Sequence, residues 1–151
     1  MRVAIGSDHA GFALKEVLEQ ALIREGHEVE DLGTHAAEPA VDYPDYCIPV
    51  AERVASGQAD RGIVLGGSGI GESIVANKVT GVRAALVYSD ETARLTRQHN
   101  DSNVLALGGR LSKPEDAVRW LKIWLETPFE GGRHVARIQK INAYEHRLIR
   151  S

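Results

Sequence analysis

The sequence has a single cysteine, Cys47. An intrachain disulfide framework and a cysteine-based zinc site are therefore excluded, and a reducing compartment is implied. Charge of one sign is also scarce: 18 Lys and Arg against 21 Asp and Glu leave a formal net charge of −3. A general nucleic-acid or membrane-surface binder carries a basic excess, so affinity for an anion here must come from a local cluster. No apolar run approaches the roughly 20 residues that span a bilayer. The chain starts in the strand-like run Arg2-Val3-Ala4-Ile5-Gly6 rather than in a basic segment followed by an apolar stretch. The expectation is a cytoplasmic protein without nucleic-acid or membrane partners. Internal repeats, low-complexity tracts and Ser/Gly linkers are missing too, which leaves one domain over residues 1–151.

What is present is an alternation of short apolar runs with longer segments of helical period, the pattern of an α/β protein with a parallel sheet and crossover helices. Five strands are predicted, at about Arg2–Gly6, Glu28–Leu32, Gly62–Gly66, Arg83–Tyr88 and Val104–Gly108, in a doubly wound sheet of order 2-1-3-4-5. The second has the polar pattern of an edge strand. A helix over Phe12–Glu25 places Phe12, Val17, Leu18, Ala21 and Leu22 at helical spacing, and Gly26 follows where a C-terminal cap is expected. Ser89-Asp90-Glu91 caps a helix running to His99, and Ser112-Lys113-Pro114-Glu115 reads as a capping box for another. Residues 132–150 form a charged helix with a narrow apolar stripe, Val135, Ile138, Ile141, Tyr144 and Leu148, suited to packing on a neighbour or a second subunit. Thr34–Pro44 is a loop long enough to border a site.

Four groups of residues carry chemistry. Gly66-Gly67-Ser68-Gly69-Ile70-Gly71-Glu72 follows an apolar strand and opens a helix, so its backbone N–H groups can approach an anion closely. It is not a dinucleotide fingerprint, because position 72 is Glu where the third glycine belongs, and it lacks the Lys-Ser or Lys-Thr ending of a P-loop. Asp8 and His9 follow strand one, whose end flanks the switch point of such a sheet together with the end of strand three. Asp8 also suits a helix cap. His99-Asn100 closes a helix before strand five, and is expected at the same sheet edge. Arg133-His134-x-x-Arg137 gathers basic groups on one helical face, the geometry that grips a phosphate dianion.

Taken with Asp42-Tyr43-Pro44, Ala76-Asn77-Lys78 and Gly108-Gly109-Arg110, these motifs resemble the type B ribose-5-phosphate isomerases of the ribose/galactose isomerase family, from Met1 to about Tyr144. The resemblance implies a flavodoxin-like three-layer α/β/α fold and aldose–ketose isomerisation of a sugar phosphate without metal or organic cofactor. It also implies a homodimer with shared sites, alone or as a dimer of dimers. Carried over by position, Asp8 and His99 open the sugar ring, and His9 and Tyr43 line the site. Asn100 and the N–H groups from Gly67 through Gly69, Ile70 and Gly71 stabilise an enediolate. Arg133, Arg137 and His134 hold the phosphate, and Arg110 joins them from the partner subunit. Many members carry a cysteine base where this chain has Gly66. A second branch, resembling the mycobacterial enzymes, uses a glutamate at the position of Glu72, with Ser68 moving protons between the oxygens. Other sugar phosphates (erythrulose 4-phosphate, allose 6-phosphate, galactose 6-phosphate), or binding without catalysis, are the alternatives.

Overall fold

The computed structural model describes residues 1–150. The elements in chain order are β1 (Arg2–Ser7), α1 (Phe12–Arg24), β2 (Glu28–Asp31), α2 (Pro44–Ala55), β3 (Arg61–Gly66), α3 (Ile70–Ala76), β4 (Ala84–Leu86), α4 (Asp90–Asn100), β5 (Val104–Gly108), α5 (Pro114–Glu126) and α6 (Arg133–Arg150). All strand pairings are parallel. No helix among the described residues is long and apolar enough to cross a membrane.

The two faces of the sheet differ because side chains alternate along each strand. Val3, Ile5, Ile63, Leu65, Leu105 and Leu107 pack on α1 and α5 around Trp120 and Trp124. The opposite face presents smaller residues, Ala4, Val64 and Ala106, to α2 and α3. Small size there lets α2 close on the sheet: a Cβ on Gly6 would come within 2.6 Å of the Tyr46 carbonyl oxygen, and one on Gly62 within 2.8 Å of Val50. This close approach sets Tyr43, at the start of α2, above the end of β3.

Three expectations are corrected. The strand order is β2-β1-β3-β5-β4, not 2-1-3-4-5. β5 is buried at every position and takes the inner place, while β4 has three half-buried residues and serves as the edge. Ser112 does not cap α5: the N-cap is Lys113 without a side-chain bond, and Pro114 opens the helix, where its missing N–H costs nothing. Finally, His99-Asn100 does not return to the edge where β1 and β3 end. α4 runs antiparallel to the strands and delivers Asn100 to the start of β5. Five residues of β5 then separate it from Gly109-Arg110 by roughly 15–20 Å.

Candidate active site

At the carboxyl edge, a cavity of about 410 Å³ is lined by Asp8, Tyr43, Gly67, Ser68, Gly71, Glu72, Arg110 and Leu111. Its floor is two loops drawn together. Gly109 N–H donates to the Gly66 carbonyl at 2.7 Å and Arg110 N–H to that of Gly67 at 3.0 Å. Gly69 has φ +80°, and a Cβ there would meet the backbone between Leu107 and Gly108 at 2.9–3.1 Å, so only glycine fits. Ser68 Oγ accepts from Ile70 N–H at 3.2 Å, which leaves its own hydrogen to donate into the cavity.

Glu72, in the first turn of α3, is 3% exposed. Burial is the main cause that raises its pKa above the ordinary carboxylate value; nearby Asp8 raises it further, and the backbone N–H groups of Glu72 and Gly69 oppose the rise. A Cβ on Gly66 would overlap this carboxylate. Glu72 therefore fills the space that a side chain at position 66 would take.

Asp8 is held by its own turn: Oδ1 accepts from Gly11 N–H at 3.0 Å, while the Asp8 N–H donates to the Leu65 carbonyl at 3.2 Å. His9 Nδ1 accepts from Val41 N–H at 3.1 Å, which ties the 34–43 loop to the site and leaves Nε2 as the ring's donor when it is neutral. The phenol end of Tyr43 packs so closely on Gly71 that a Cβ there would stand 2.7 Å from the phenol oxygen. Cys47 is buried in the core beneath, and burial first, then Glu72 and Asp8, push its thiol pKa up. A thiol so placed stays protonated and is no replacement base.

The remaining predicted residues gather at the amino edge. The His99 and His134 rings stack with centroids 4.4 Å apart and planes 16° apart. His134 is buried, and Arg133, Arg137 and Asn100 are exposed around it. Burial first, then His99 and the two arginines, lower the His134 pKa. Leu111 in the cavity and Glu130, whose Oε2 lies 3.6 Å from His134 Nε2, escaped the sequence reading. Glu130 stands four residues before His134, a spacing that only gains meaning once the turn before α6 is known.

Fold and cavity define an α/β protein with a polar cleft at the carboxyl ends of its strands, where proteins of this architecture take their ligands. The chain belongs to the ribose/galactose isomerase family, whose model matches residues 3–141. It is 48% identical over 147 residues to a putative sugar phosphate isomerase of Bacillus subtilis, covering 97% of this chain and 99% of that protein. The solved ribose-5-phosphate isomerase B of Clostridium thermocellum matches with a TM-score of 0.95 and 48% identity, over 98% of this chain and 99% of that one. That of Mycoplasma genitalium, solved with bound ribulose-5-phosphate, matches with a TM-score of 0.93 and 41% identity, over 96% of each chain.

Proposed function

We propose that this chain interconverts D-ribose 5-phosphate and D-ribulose 5-phosphate through a cis-enediolate, with Glu72 as the base. The observation that carries this reading is the buried Glu72 carboxylate, which occupies the volume vacated by Gly66 at the head of the glycine loop. Going from aldose to ketose, Glu72 takes the proton from C2 and returns it to C1. Ser68 passes the hydroxyl proton between O2 and O1. A base works best with a pKa near the working pH, and burial moves Glu72 in that direction. The loop N–H groups other than those of Ile70 and Gly69, which Ser68 Oγ and the Glu72 carboxylate already take, are left to stabilise the charge that develops on the oxygens. Asp8, fixed by Gly11, serves ring opening, and His9 and Tyr43 bound the pocket.

The phosphate clamp in this reading comes from a second copy. One chain holds Asp8, Glu72 and Arg110 at one edge of its sheet, and His99, Asn100, Arg133, His134 and Arg137 at the other. A two-fold dimer brings each half against the complementary half of its partner, which gives two complete sites. Exposed apolar side chains beside both halves support such an interface: Ile70, Ile74 and Leu111 near the first, Val135 and Ile141 on α6 near the second.

The test is an isomerase assay on EDTA-treated protein with four-, five- and six-carbon aldose and ketose phosphates, beside Glu72→Gln. Turnover of the five-carbon pair that disappears in the variant supports the reading. Turnover of another pair reassigns the substrate, and binding without exchange of the C2 proton reduces the protein to a binder.

A further inference from the structure

The amino-edge cluster has a second chemistry. One ligand atom from each of His99, Glu130 and His134 lies within 4.8 Å of the other two. His134 Nε2 and Glu130 Oε2 are already 3.6 Å apart. Donors around a tetrahedral zinc ion, each about 2.0–2.1 Å from the metal, stand roughly 3.4 Å from one another. Closing the remaining gap takes rotation of the exposed Glu130 side chain and of the imidazoles, whose stacked rings do not aim their in-plane lone pairs at one point.

We propose that His99, Glu130 and His134 form a binding site for a divalent transition-metal ion, zinc above all, and that the bound ion reversibly inhibits the protein. Two imidazoles and a carboxylate are a borderline-soft donor set. It suits zinc with an open fourth position and discriminates against magnesium and calcium, which take oxygen ligands. Chelation turns the two rings out of their stack and occupies their nitrogens. Arg133 and Arg137 oppose the incoming charge and the Glu130 carboxylate offsets it, so the ion is exchangeable rather than structural. The binding claim stands on these three side chains alone. The inhibition rests on the proposed isomerase, in which His99 and His134 of one copy serve the other's site.

The experiment titrates zinc chloride into the EDTA-stripped, dialysed full chain by calorimetry, for wild type and Glu130→Gln, and measures turnover of ribose 5-phosphate over the same zinc range. Loss of an outer partner of a metal site costs roughly 10–100-fold in affinity, and loss of a direct ligand should cost at least that. Expected are one zinc per wild-type chain and at least tenfold weaker binding in Glu130→Gln. Wild-type turnover should fall with occupancy and recover on chelation, and the variant, measured against its own zinc-free turnover, should need at least tenfold more zinc for the same fractional loss. Equal affinity in both proteins, or full turnover with the wild-type site filled, overturns the proposal. If neither protein turns over any sugar phosphate, the isomerase reading has failed, and the calorimetry still decides the metal site.

Discussion

A side chain at position 66 and the carboxylate of Glu72 compete for one volume: a Cβ built on Gly66 overlaps Glu72 Oε1. The two positions are thus coupled by packing as well as by chemistry, and a base can stand at one of them at a time. Gly66→Ala should displace the carboxylate and lower kcat by on the order of 10²–10⁴, the span of a lost acid–base group. Its stability should fall by about 1–3 kcal/mol from overpacking. In a Glu72→Ala background the same substitution should cost much less of either. Steady-state kinetics and denaturant unfolding of the four proteins in the cycle measure the coupling, and additive effects would show that the two positions do not touch.

The raised pKa of Glu72 makes a stability statement as well. Well below about pH 4.3, the ordinary glutamate value, folded and unfolded chains are both protonated there and the group has little effect. As pH rises the unfolded chain ionises first, and folded stability is lost until pH passes the folded-state pKa. Glu72→Gln cannot ionise. Its Tm should match wild type in acid and rise above it towards neutrality, in melts taken from about pH 4 to 8. In the same variant the acid limb of kcat/KM should vanish with the activity itself, whereas in the wild type it should sit above the ordinary carboxylate range.

Much of this was legible in the residues. The β1, β3 and β5 runs, the α1 stripe ending at Gly26 and the capped start of α4 at Ser89 all announce themselves locally, and the comparisons agree with the activity that the motifs suggest. α2 is hidden in the residues, because Asp42-Tyr43-Pro44 looks like loop and Pro49 interrupts the pattern. The period of Cys47, Val50, Ala51 and Val54 was nevertheless there, and these four are the buried residues of the helix. The inner place of β5 depends on how few residues β4 can offer for pairing, which no local pattern expresses. The side of the sheet that His99 occupies could have been deduced. A helix crossing over between parallel strands runs back to their amino ends, so a residue just before β5 stands opposite the glycine loop.

Lys15 gives a stability test away from the site. Its side chain is wholly buried, with Nζ 2.5 Å from Asp31 Oδ2 and 3.3 Å from Glu16 Oε1. Asp31→Ala leaves that charge with the exposed Glu16, the nearby Glu19 carboxylate and the face of the Phe12 ring. Equilibrium unfolding should show a loss of about 3 kcal/mol, the lower end for breaking a buried pair because Glu16 remains. Loss of less than half of that would mean that Lys15 moves out to solvent.

Hybrid dimers test most directly whether the site is shared between chains. Glu72→Gln disables one half of the site and the double variant Arg133→Ala, Arg137→Ala the other. Each purified protein alone should be nearly inactive. Dissociated together in equal amounts and reassembled, half of the dimers are hybrids, and each hybrid has one site with both halves intact. Turnover should therefore recover to about a quarter of the wild-type value. A mixture no more active than the sum of its parts would contradict the shared site and return the phosphate clamp to the chain that carries the base.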